Sequence, residues 1–154
     1  MATATLSYGS NEALTITIAS LANAALRQST EVDNTTDGFL TGTLGVKVKT
    51  GASGTAATGY VNVWAWANSN DIRDGLAGTS DAAIASNTGL RLVGTIAAGA
   101  NATTYTKTFD LGDVFGGSLP PKWGIVLENL TGAALDSTAG SHAVGFIPAN
   151  VEVA

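Results

Sequence analysis

Gly59-Tyr60-Val61-Asn62-Val63-Trp64-Ala65-Trp66-Ala67 is the most strand-like run in the 154-residue chain and carries two of its three tryptophans. Side chains alternate across a strand with period two, so Tyr60, Asn62, Trp64 and Trp66 share one face while Val61, Val63, Ala65 and Ala67 share the other. Neither face reads as solvated. A strand apolar on both sides needs the domain core on one side and a second cover on the other, supplied by a loop, a ligand or another subunit. Tyr60, Trp64 and Trp66 are therefore the candidate interface residues, and the expected core is Val61 and Val63 with Leu44, Val46, Leu92 and Ile125.

Working outward, the same period recurs. Residues 1–12 are polar and read as an extended N-terminal arm with a short edge strand at Thr3–Tyr8, ahead of a single domain over residues 13–154. Leu14-Thr15-Ile16-Thr17-Ile18 alternates cleanly and predicts a strand. A turn at Leu21–Leu26 leads to an exposed strand over Arg27–Val32. Phe39–Lys49 predicts a strand with Leu44, Val46 and Val48 inward. After the small-residue tip Thr50–Gly59, the Tyr60–Ala67 strand is expected to return beside it as a hairpin. The polar stretch from Asn68 to Gly89 is long for a structureless loop and predicts a short helix around Asp81–Ala85, capped by Ser80. Strands follow at Leu90–Ile96 and Thr103–Phe109. One helical turn closed by glycines is expected at Asp110–Gly117, then strands at Lys122–Asn129 and Ala143–Val153. About eight short strands with turn chemistry between them predict an all-β, two-sheet antiparallel β-sandwich, with a jelly roll as the expected topology.

Composition bounds the function. Charged residues are 12% of the chain, about half the usual share, which leaves much neutral surface and suits a protein packed into an assembly. The net charge of −5 and the scattered cations argue against nucleic acid as a partner. With no cysteine there is neither a disulfide framework nor a thiolate nucleophile or ligand. No apolar run approaches the ~20 residues of a membrane helix, and the first residues lack the pattern of a secretory signal, so synthesis in the cytoplasm is expected.

Candidate chemistry is thin. The single histidine, His142, lies near Asp136 but within a flexible Ser/Thr/Gly stretch that offers no nucleophile elbow or oxyanion loop. Glu128 is the one acid inside a confident strand of the sheet body, and one acid makes no glycosidase dyad. Asp33-Asn34-Thr35-Thr36-Asp37-Gly38 invites a calcium-loop reading, but position twelve is Leu44 where an EF-hand needs glutamate, and an Asx turn explains the same letters. Asp71, Asp74 and Asp81 offer a second set of carboxylates, best read as solvated. The expectation is no enzyme, no cofactor and no metal site. Two binding roles survive: a carbohydrate-binding module using Tyr60, Trp64, Trp66 or Trp123 as a platform, and a structural module that covers these aromatics with another copy of itself or a host lattice.

The order Leu14–Leu21, Ser29–Asn34, Val61–Ala67, Gly89–Leu92 and Pro121–Gly124, with Asn129 and Thr131-Gly132 following, resembles small virion proteins of tailed phages. The best-understood parallels are jelly-roll capsid decoration or cement proteins. The resemblance covers most of the chain through turn phrases and pattern, with no catalytic motif. It implies a homo-oligomer, dimer or trimer, on the outer surface of the virion shell, bridging subunits of the major capsid protein, with no cofactor and no reaction. A head-fibre or tail component is the alternative placement that it implies.

Overall fold

The computed structural model describes residues 3–70, 72–75 and 78–153. Twelve strands are present among them: β1 (Ala4–Tyr8), β2 (Glu12–Ala13), β3 (Leu26–Gln28), β4 (Val32–Asp33), β5 (Thr41–Lys49), β6 (Tyr60–Ser69), β7 (Ile72–Arg73), β8 (Ala82–Ile84), β9 (Arg91–Ala97), β10 (Thr104–Asp110), β11 (Lys122–Leu130) and β12 (Ala143–Val153). A single helical turn, α1 (Leu111–Val114), follows β10; the Asp110 carboxylate accepts from the Gly112 amide at 2.8 Å and caps it. The expected glycine closure is there, with Gly116 and Gly117 both at positive φ.

All strand pairs are antiparallel, and they form two sheets that pack face to face as a β-sandwich. The first sheet runs β1-β12-β5-β10, with β2 also on β12; the second contains β3-β11-β6-β9, extended by β4, β7 and β8. Taken in chain order, β1, β3, β5, β6, β9, β10, β11 and β12 each lie in the opposite sheet from the one before, except β9, which stays with β6; this is the two-Greek-key connectivity of a jelly roll. These two sets of four fall on eight of the nine stretches read as strands in the sequence; Leu14–Ile18 supplies none of them.

Leu44, Val46 and Val48 of β5 face Val61 and Val63 of β6 and Ile125 and Leu127 of β11 across the sandwich, all 2% exposed or less. Trp123 and Phe146 meet edge to face at 4.9 Å between the sheets and join the two halves of this core.

Four local expectations are corrected. Leu14–Ile18 is extended and buries Leu14 and Ile18, but it is no strand of either sheet. Its backbone bonds are split between partners: the Leu14 amide to Val144, the Thr15 carbonyl to Thr30, the Thr17 amide to Asp81. The segment crosses from one sheet to the other, so its alternation reflects burial without a ladder. The β5–β6 hairpin does not form, because the two strands' apolar faces oppose each other across the core instead of lying side by side. The connection between them is pinned by the Thr55 amide on Asn101 and the Ala56 amide on Thr131. The helix expected at Asp81–Ala85 is strand β8 on β3, and Ser80 offers its carbonyl to Gln28 instead of capping. Leu92 lies outside the core, 53% exposed. A bulge between Val63 and Trp64 pairs Gly94 with inward Val63 but Leu92 with outward Trp64, which flips the alternation of β9.

Candidate interaction surface

The second cover of the β6 strand comes from the chain itself. Trp66 is fully buried in a small cluster with Leu26 and Val126 on the outer face of the second sheet, flanked by Trp64, Ile84 and Leu90. Gly124 stands directly opposite Trp66 on β11, and the absence of a side chain there lets the indole lie across the strand. The segment after β6 then closes over this face. Asp74 exchanges bonds with Ala67 in both directions, each 3.0 Å, and its carboxylate pairs with Arg91 at 3.1 Å. The Gln28 side chain holds the Gly78 amide and the Ser80 carbonyl. Gly75 and Gly89, both at positive φ, meet where a Cβ on Gly89 would stand 2.9 Å from the Gly75 nitrogen, so the base of the flap requires glycine.

Of the predicted interface residues, Trp66 is thus inaccessible, Trp64 is half-buried and Tyr60 is 39% exposed. Trp64 and Asn62 both donate to one oxygen of Glu128, at 2.9 and 3.0 Å, and Thr95 donates to Asn62 at 2.8 Å. Glu128, the acid singled out in the sequence, is a strut between β6 and β11. Trp123 is wholly in the core.

The other candidate groups are also accounted for. One Asp33 oxygen receives the amide and hydroxyl of Thr35, an Asx turn whose bonds hold the carboxyl below its usual range. Asp81 also titrates low: burial opposes this, but the bonds from Arg27 and Thr17 outweigh it. Asp74 and Asp81 serve different partners, and Asp71 lies outside the described residues. His142 reaches the Asp136 carbonyl through Nε2 at 2.8 Å, and its Nδ1 accepts from the Lys49 amide. The Asp136 carboxyl is held at about 2 by the Thr138 amide and then by Lys49, whose Nζ lies 3.2 Å away. These acids and the histidine brace turns. Among the described residues no three His, Asp or Glu side chains gather to hold a metal ion, and no helix is long and apolar enough to cross a membrane.

Large apolar side chains are exposed on both sheets: Tyr60, Ile72 and Leu92 on the second, and a group of four on the first. Register places Leu6 and Tyr8 of β1 on the same outer side as Ile147 and Val151 of β12, opposite the inward Val144 and Phe146. These four are 50%, 66%, 39% and 46% exposed. Beside them lies a groove of about 860 Å³ lined by Gly45, Gly145, Ala143, Thr106 and Thr108, bordered by Ile147 and flanked by Lys47 and Lys107. A Cβ at Gly45 would meet only the Gly145 carbonyl oxygen, at 3.8 Å, so the floor is open for close approach. The sequence held a signal for this surface: Ala143–Ala149 is apolar on both faces, as much of Tyr60–Ala67 is. No family model and no curated protein matches the chain.

Proposed function

We propose that the chain is a non-enzymatic structural protein of a tailed-phage virion, a decoration or cement protein that binds the outer capsid shell and stabilises contacts between capsid subunits. The observation that carries this reading is the outer face of the first sheet. It combines four exposed large apolar side chains with a groove lined mainly by small residues and flanked by Lys47 and Lys107, whereas on the second sheet Trp66 is covered and Tyr60, Ile72 and Leu92 stay exposed. Exposed apolar groups of this kind mark protein contact sites, and Gly, Ala and Thr let a partner's backbone come close. The resemblance to small virion proteins and the jelly-roll connectivity support the same reading.

The test is co-sedimentation with expanded capsids. Wild type should pellet with the shell at a fixed copy number, and Gly45→Arg, which fills the groove from a position with free space above it, should lower the affinity tenfold or more while melting like wild type. Failure of wild type to pellet, or equal binding by Gly45→Arg, would defeat the proposal. The carbohydrate-binding or host-adsorption reading now rests on Tyr60 and Trp64 alone, with Glu128, Asn62 and Thr95 as the polar groups beside them. Oligosaccharides that shift tryptophan fluorescence at micromolar to millimolar concentration, and stop doing so in Trp64→Ala, would favour it instead.

A further inference from the structure

β1 ends the first sheet with one edge unpaired among the described residues. The Gly9 amide donates to the Pro148 carbonyl at 2.9 Å, and the register Tyr8↔Ala149 continues inward from that bonded pair. Antiparallel ladders alternate, so Ser7 and Thr5 direct their backbone groups at Asn150 and Glu152, while Ala4, Leu6 and Tyr8 direct theirs away from the sheet. The Val151 amide, opposite Leu6, is satisfied by the Asn150 side chain at 2.9 Å, as this phase requires. Natural edges are normally blunted by lysine, proline, a bulge or a covering loop. Ala-Thr-Leu-Ser-Tyr has none of the first two, pairs with β12 without a bulge, and is exposed at four of its five positions.

We propose that this edge pairs with its copy in a second molecule, forming a two-fold dimer centred on Leu6. The register is self-complementary. With Leu6 opposite Leu6 of the partner copy, Tyr8 falls opposite Ala4 and Ala4 opposite Tyr8, each pair exchanging both of its N–H···O bonds. The largest side chain of the edge thereby meets the smallest, and the leucines meet on the outer face next to Val151. No charge lies on the strand. The nearest β12 acid, Glu152, sits beside Thr5, so its counterpart is three strand spacings away, about 14 Å, beyond the ~8 Å screening length. A shifted register would set Tyr8 against Tyr8 or leave free-edge groups unpaired, so the centre at Leu6 is favoured over its neighbours.

Analytical ultracentrifugation with amide hydrogen exchange tests this. The chain should dimerise reversibly, and on association the amides of Ala4, Leu6 and Tyr8 should gain at least tenfold protection while those of Thr5 and Ser7, already bonded to β12, change little. Leu6→Pro removes a donor from the free edge without touching the β12 ladder and should raise the dimer dissociation constant tenfold or more. Leu6→Lys, which sets like charges opposite each other with no backbone constraint, should do the same and guards against a folding defect in the proline variant. Leu6→Cys, in a chain with no other cysteine, should give a disulfide-linked dimer on mild oxidation, since bonded pairs hold Cα atoms about 5.5 Å apart. A chain that stays monomeric to millimolar concentration, a dimer indifferent to both Leu6→Pro and Leu6→Lys, or protection of the same amides by a different protein while the chain remains monomeric would each overturn the proposal.

Discussion

Replacing Gly124 by alanine tests how the outer face of the second sheet is sealed. An added Cβ would stand 2.4, 2.5 and 2.8 Å from Cζ2, Cε2 and Nε1 of Trp66, so the indole must retreat by about 1 Å to regain van der Waals distance. Trp66 has no exposed surface and is closed in by Leu26 and Val126, so the retreat must move the cluster or the flap over it. Overpacking of this kind costs about 1–3 kcal/mol, more than the few tenths to about 1 kcal/mol that alanine gains over glycine in unfolded-chain entropy. At about 2–4 °C per kcal/mol for a chain of this size, the melting temperature should fall by roughly 2–12 °C. Gly45→Ala is the matched control: the same change, also in a central strand, with its Cβ in open space, expected within about 0.5 kcal/mol of wild type. In a Trp66→Leu background, where no side-chain atom reaches the positions of Nε1, Cε2 and Cζ2, the Gly124→Ala penalty should shrink by at least about 0.5 kcal/mol. Chemical denaturation of the four proteins measures the cycle. Equal stability of Gly124→Ala and Gly45→Ala would refute the packing argument.

Three further outcomes follow from the geometry. Val63→Ala should lose about 1–3 kcal/mol because its side chain is fully buried, whereas Leu92→Ala should change stability by no more than about 0.5 kcal/mol in the same denaturant titration. Glu128→Ala strands the half-buried donors of Asn62 and Trp64 and should cost about 1–3 kcal/mol, with Glu128→Gln, which keeps an acceptor, losing less; unfolding curves monitored by tryptophan fluorescence decide it. Asp136 is depressed in the folded chain from 3.8 to about 2, so its contribution is complete above pH 4 and disappears as the pH falls toward 2. Asp136→Asn should therefore flatten the acid limb of the stability–pH profile without altering its shape above neutrality.

The sequence reading reached the sandwich because period two identifies inward residues wherever a strand is long. Leu44, Val46, Val48, Val61, Val63, Trp123, Ile125 and Leu127 all face inward as their alternation predicts. Alternation is silent about neighbours, however. The inward faces of Phe39–Lys49 and Tyr60–Ala67 are equally compatible with strands side by side or stacked, and only the crossing at residues 50–59 separates the two. It is silent about bulges too, and one extra residue in β9 sent Leu92 outward. The candidate interface failed at Trp66 for a different reason. A doubly apolar strand requires two covers, but whether the second is internal depends on residues 74–90, whose glycines, Asp74 and the polar contacts to Gln28 show no apolar period. The same signature in Ala143–Ala149 does lead to an open face, since among the described residues nothing covers Ile147 and its neighbour Val151.

Dimerisation at β1 and binding through the first sheet's outer face have a joint consequence. Side chains directly opposite in a continuous antiparallel ladder lie on one side of the sheet, so the two-fold axis stands perpendicular to it and both grooves open in the same direction. A dimer then offers two identical sites to a repeating surface, and the second contact forms at the effective concentration set by the first. The oxidised and reduced forms of Leu6→Cys isolate this effect, because the groove is identical in both and only the link differs. Assayed on expanded capsids at concentrations below the dimer dissociation constant, the oxidised form should bind more tightly by about 10²–10⁴-fold where the shell spaces its sites to match. A gain limited to the factor of two expected from two independent sites would mean that the sites cannot be engaged together, and would separate the dimer from the binding role assigned to the groove.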